Sequence, residues 1–179
     1  LKSGGGKTIE KANNGWIGFT DKYWATALIP NQGDVYTANF RGTKGQGDVN
    51  IVELQGTVGS APAIERQKGF MEIIKTNPKF KVTRSQTGDF TRAKGKEVME
   101  AFLKADPKIN VLFAHNDDMA IGAIQAIEAA GKKPGKDIII VSVDAVKGAF
   151  EAMMAGKMNV SVECNPQLGP QLMQIVKDI

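Results

Sequence analysis

The chain holds one cysteine and one histidine in 179 residues. With Cys164 alone, no internal disulfide can form, so redox compartment is left open by cysteine usage. With His115 as the sole imidazole and no second histidine or cysteine beside it, neither a zinc-type ligand set nor a cysteine nucleophile with its base can be assembled. Hard-metal binding would need more clustered oxygen ligands than Asp117 and Asp118 supply next to it. No apolar run is long enough to span a bilayer, and no charged-then-apolar secretory pattern opens at Leu1. The net charge of +4 comes from lysines scattered among acids. Nucleic-acid binding asks for that charge in one patch or arm, so a solvated surface is the expectation.

What is present is an ordinary globular composition, 42% hydrophobic and 23% charged. That is enough for one good core. A glycine-rich run, residues 42–47, separates an aromatic N-terminal stretch from a regular series of short apolar runs alternating with helical patterns. Strands are expected at residues 49–54, 80–85, 110–114, 138–143 and 160–163.

Helical faces are expected through Ile64, Phe70, Met71 and Ile74; through Val98, Phe102 and Leu103; and through Ala120, Ile121, Ile124 and Ile127. A fourth runs through Val146, Ala149, Phe150 and Met153, with Met153 and Met154 as core filler, and a fifth through Leu168, Leu172, Ile175 and Ile179. Gly131 and Gly156 suit helix C-termini, and Pro166 suits a helix start. The alternation defines an α/β class with a parallel, doubly wound sheet over residues 49–179, preceded by residues 1–48 of unrelated, possibly β, character.

Such a sheet binds its ligand beyond the carboxyl ends of the strands. Those ends carry Gln55-Gly56-Thr57, then Asp89-Phe90, His115-Asn116-Asp117, Asp144 and Glu163-Cys164-Asn165. Carboxylates accept from adjacent hydroxyls, amides donate and accept, and an aromatic covers an apolar sugar face; Arg66 adds a donor fork. Singly, each has a plainer explanation. Asn116 or Asp117 fits a helix cap, Asp144 a turn, and Phe90 the core.

Other matches carry less. Ser3-Gly4-Gly5-Gly6-Lys7-Thr8 resembles the tail of a phosphate-binding loop, but Leu1 stands where its first glycine belongs. Asn159-Val160-Ser161 matches a glycosylation triplet but falls on an expected buried strand.

The runs at residues 51–60 and 84–95, with His115-Asn116-Asp117-Asp118-Met119 and Glu163-Cys164-Asn165-Pro166, resemble periplasmic sugar-binding proteins of ABC transporters, of galactofuranose- or ribose-binding type. The resemblance covers the C-terminal lobe, residues 49–179; the opposite lobe and the final hinge-crossing segment have no counterpart. It implies sugar contacts at Arg66, Phe90, Asn116, Asp144 and Glu163. It also implies a periplasmic location, a monosaccharide ligand (galactofuranose, galactose or ribose-like), an ABC permease as partner, and no catalysis, cofactor, resident metal, nucleic acid or direct membrane insertion.

With one wall of the cleft, monosaccharide binding is expected to be weak or undetectable. Residues 8–42, including Gly15-Trp16-Ile17-Gly18-Phe19 and Val35-Tyr36-Thr37-Ala38-Asn39-Phe40, resemble the periplasmic domain of YidC-type membrane protein insertases, so the sequence has the look of a composite. Two alternatives share the sheet type. A phosphoacceptor or hydrolase would need acids after the first strand, where Gln55-Gly56-Thr57 stands. A transcription-regulator core would need a preceding helix-turn-helix, which residues 16–40 do not resemble.

Overall fold

The computed structural model describes residues 48–75, 77–164 and 169–178, together with six backbone segments at 2–3, 7–8, 10–12, 15–17, 27–28 and 35–36. The insertase-like run and the phosphate-loop-like run otherwise lie outside the described residues, as do Asn165, Pro166, Leu168 and Ile179.

Five βα units follow one another. They are β1 (Val49–Gln55), α1 (Ala61–Ile74), β2 (Phe80–Thr87), α2 (Arg92–Ala105), β3 (Val111–Ala114), α3 (Asp117–Ala129), β4 (Ile139–Asp144), α4 (Lys147–Met154), β5 (Val160–Glu163) and α5 (Gly169–Asp178). The strands are parallel in the order 2-1-3-4-5. The order reverses between β1 and β3, and sheets of this kind take their ligands beyond the carboxyl ends at such a reversal. Past β5, Gly15–Ile17 and then Glu10–Ala12 continue the sheet antiparallel.

The inner strands β1, β3 and β4 are largely apolar without alternation because both their faces are covered, whereas the edge strand β2 alternates and is mostly exposed. On one face Val52, Leu54, Leu112, Ala114 and Ile140 pack under α2, α3 and α4. On the other, Ile51, Val111, Phe113, Val141 and Val162 pack with Phe70 and Ile74 of α1, whose Phe70 ring stacks on Phe113 at 4.0 Å between centroids. The α2–α3 contact is close enough to require glycine. A Cβ on Gly122 would sit 2.1 Å from the Arg92 carbonyl oxygen, and one on Gly95 would sit 2.6 Å from Met119 backbone.

Several expected helix faces are rotated from where the pattern put them. Ile64 is 52% exposed, because Ala63 rather than Ile64 lines up with Phe70 and Ile74. In α4 the packed side is Ala149, Ala152 and Met153, so Val146 and Phe150 stay over a third exposed and Met154 is 80% exposed, not core filler. Ile175 of α5 is likewise exposed. Asn159 is buried, its side-chain oxygen accepting from the Ile140 N–H and its amide donating to the Gly135 carbonyl, which leaves no glycosylation acceptor.

Candidate functional site

Three helices begin at the carboxyl rim with side-chain caps. Ser60 accepts from the Ala63 N–H, Thr91 from Lys94 and Asn116 from Met119. Their starts fix the loops that hold the expected site residues.

Arg66, in the second turn of α1, is the hub. Its guanidinium donates to the His115 carbonyl oxygen and, at 3.2 Å, to Asp144 Oδ1. It also lies over the Phe90 ring, 5.8 Å from the centroid, within reach of a cation–π attraction. Phe90 is half-buried against the core and has φ 57°, so the chain turns sharply to lay its ring across Gly56. A Cβ on Gly56 would fall 1.9 Å from that ring. The Asn116 amide donates to the Phe90 carbonyl at 3.2 Å while its oxygen caps α3, so the cap and the site are one residue.

Asp144 ends β4 with φ 122° and is followed by Ala145 at φ 60°. Glu163 ends β5 in register with Asp144, one strand further out on the same rim. The fold therefore gathers Arg66, Phe90, Asn116 and Asp144 by direct contact, with Glu163 on the adjoining strand end.

Burial pushes the Asp144 carboxyl up to about 6; Arg66 pulls the other way, while Asp117 and Asp118 add to the rise. Its side chain remains 29% exposed, open to a ligand's hydroxyl donors.

Beneath the rim lies a buried polar layer that sequence reading did not assemble. Glu53, inside apolar β1, meets His115 Nε2 at 2.9 Å and accepts from Ser85, Gln55 and Gln67. Burial pushes the Glu53 carboxyl up, but the hydrogen bonds from His115 and Ser85 outweigh it and hold the group below its ordinary value. The Gly56 N–H donates to His115 Nδ1, so the ring carries its proton on Nε2 and gives it to Glu53. The available signal was one carboxylate in a strand covered on both faces, which demands buried partners. Asp117 is the second member of this layer, fully buried and bonded to Ser142, Ser161 and the Val146 N–H. Burial pushes the Asp117 carboxyl up against those bonds. Among the described residues no group of three His, Cys, Asp or Glu side chains forms a metal cluster, and no helix is long and apolar enough to cross a membrane.

A doubly wound sheet whose polar groups converge on one rim, backed by a buried hydrogen-bonded layer, is the arrangement with which α/β proteins line small-molecule clefts. The chain belongs to the periplasmic binding protein domain family, whose pattern it matches over residues 31–179. That match begins ahead of the boundary expected between residues 48 and 49 and takes in the end of the insertase-like run.

The galactofuranose-binding protein YtfQ of Escherichia coli is 59% identical over 125 residues, which are 68% of this chain and 39% of that protein. The ribose import binding protein RbsB of Bacillus subtilis is 36% identical over 136 residues, 76% of this chain and 42% of that one. A Mycobacterium smegmatis structure in complex with β-D-fucofuranose superposes with a TM-score of 0.73 at 59% identity, covering 75% of this chain and 44% of its own. The periplasmic binding protein component of the arabinose ABC transporter from Shewanella, bound to α- and β-L-arabinofuranose, gives 0.72 at 54% identity, covering 75% and 45%. The chain thus spans about two-fifths of the length of the curated relatives it matches.

Proposed function

We propose that this chain is the sugar-facing lobe of the substrate-binding component of an ABC-type importer, acting in the periplasm and delivering a monosaccharide to a membrane permease. The ligand is a furanose-ring sugar of galactofuranose, arabinofuranose or ribose type. The names of the relatives support this, since three of the four described above are named for, or solved with, a furanose and the fourth is named for ribose. The observation that carries it is the Arg66 fork shared between Asp144 and the Phe90 face. That arrangement offers a fixed donor, a fixed acceptor and an apolar ring within one ligand's width, which is what a hydroxyl-rich ring requires. Asn116, bonded to the Phe90 carbonyl, and Glu163, on the strand end beside Asp144, add polar groups along the same rim.

No cofactor or catalytic residue enters this reading. Residues 49–179 are proposed as the lobe because Val49 opens the parallel strands; an insertase-like origin for residues 8–42 rests on the sequence resemblance alone.

Saturation-transfer-difference NMR on the 179-residue chain tests the reading, with L-arabinose, D-galactose and D-ribose as probes. The described residues supply one wall, so saturable binding is expected only in roughly the millimolar range. Arg66→Ala and Asp144→Asn should abolish it. A wild-type chain that gives no saturable signal with any of the three, or variants that bind as well as wild type, would remove the reading.

A further inference from the structure

We infer that Asp117 is a positioning residue for this rim: it holds the backbone of Asp144 and Ala145 in the left-handed conformations that aim Asp144 at Arg66. The inference rests on the sugar-binding reading only for what Asp144 receives; the mechanical claim stands on the turn itself.

Asp117 is the first residue of α3, a position normally open to water, since Asn116 already provides the helix cap. Instead its side chain is fully buried and pointed at the ends of β4 and β5. Its Oδ2 accepts from the Val146 N–H at 2.9 Å. Its Oδ1 accepts from Ser161 Oγ at 2.6 Å and from Ser142 Oγ. Ser161 Oγ in turn accepts from the Ala145 N–H at 3.0 Å. Both backbone N–H groups that follow Asp144 therefore end on this carboxylate, one directly and one through a single hydroxyl.

The turn so held is costly to form. Asp144 has φ 122° and Ala145 has φ 60°, values that a residue with a Cβ adopts only when its surroundings impose them. Neither residue is glycine, and the Val146 cap of α4 has no side-chain hydrogen bond of its own; among the described residues the Asp144 carbonyl is held by the Cys164 N–H at 3.4 Å, while the N–H groups of Ala145 and Val146 depend on Asp117 and Ser161. If the carboxylate let go, the two residues would relax to negative φ. The Asp144 side chain would then swing away from Arg66, its partner at 3.2 Å. A fully buried carboxylate, bonded to two serines and a helix start, thus transfers the rigidity of the sheet to the Asp144 acceptor on the rim.

The test uses the 179-residue chain with Asp117→Asn and Ser161→Ala, each alone and each combined with Ala145→Gly. Ser161→Ala keeps the Asp117 charge and removes only the relay to Ala145, and it serves if Asp117→Asn does not fold. Two readouts are taken. The intraresidue amide–Hα NOE of Ala145 is strong at positive φ; it should weaken in both single variants. Affinity for L-arabinose should fall about tenfold or more in both. Adding Ala145→Gly should bring it back to within about threefold, because glycine accepts positive φ without side-chain strain. A buried group that merely stabilised the core would lower the melting temperature but would gain no affinity from a glycine at 145.

An intact positive-φ signature in both single variants would overturn the inference, as would a loss of affinity that Ala145→Gly leaves untouched. If the wild-type chain binds no sugar, the functional reading falls and the NOE arm alone decides the role of Asp117.

Discussion

At the amino end of the sheet, the turns that need left-handed backbone use glycine: Gly131 at φ 72°, Gly135 at 74° and Gly156 at 70°. At the carboxyl end, Asp89, Phe90, Asp144 and Ala145 take positive φ without being glycine, and Gly59 alone follows the easier rule. The buried polar residues divide in the same way. Among the described residues, Glu53, His115, Asn116, Asp117, Ser142 and Ser161 lie toward the carboxyl rim, while Asn159 alone serves the other end. One end is built for cheap closure. The other keeps side chains where backbone alone would prefer none, and strain of this kind collects at ligand sites because the side chain is needed there.

The largest effect expected from breaking this contrast lies in neither end but in the body between them. Gly122→Ala drives a Cβ into the Arg92 carbonyl, which is backbone and cannot swing aside. Separating α2 from α3 should cost about 3 kcal/mol, read from denaturant unfolding. A near-neutral result would mean that the helices are not locked together.

Next in size is the pH response of the rim. The Asp144 carboxyl sits at about 6 when folded and near the ordinary aspartate value when unfolded. The folded state therefore binds the proton more tightly, so the stability tied to this group is complete below the unfolded value and is lost as pH rises through 6. Between pH 7 and 4.5 the wild type should gain about 2 kcal/mol relative to Asp144→Asn. Asp117, also raised, adds to the wild-type gain, and Glu53, lowered, subtracts, but both remain in the variant. Sugar affinity should move the opposite way, falling below pH 6 as the acceptor is protonated. Parallel pH curves for the two proteins would show that Asp144 is not the titrating group.

A smaller stability effect with a larger binding effect is expected at Gly56. There the added Cβ meets the Phe90 ring, the mobile end of a side chain, so the chain should lose only about 1 kcal/mol. Displacing the ring from beside Arg66 should nevertheless abolish the arabinose signal, which the NMR titration reads directly. Gly56→Ala retaining full affinity would detach Phe90 from the site.

The body was legible in the sequence because burial on both faces writes itself as unbroken apolar runs. Each strand was bounded to within two residues, as with residues 138–143 against Ile139–Asp144. Helix faces were less legible. In α4, eight residues span barely two turns, too few for the pattern to separate Ala149 and Met153 from Phe150 and Met154. At the rim, strand ends named Phe90 and Asp144, which meet Arg66, and Asn116, which meets Phe90, because connectivity alone brings strand ends together. Glu53 escaped because a single acid inside an apolar run looks like noise until its partner is known, and that partner, His115, lies 62 positions away. Asp117 was visible as a rim carboxylate or a helix cap but not as a brace, because that role depends on two serines from two other strands.

The finest test sets one glycine against one alanine. Gly131 has φ 72° and nothing within 4 Å of where a Cβ would stand, so Gly131→Ala isolates the conformational cost alone, about 1 kcal/mol. Ala145 has φ 60° with a Cβ already in place, so Ala145→Gly removes the same cost and should stabilise the chain by about 0.5 kcal/mol, the remainder being lost to the greater freedom of glycine in the unfolded state. Opposite signs in the two unfolding curves would show that the rim carries strain that the amino end avoids. If both substitutions destabilise, the left-handed turn at Ala145 is not strained, and Asp117 would have nothing to hold.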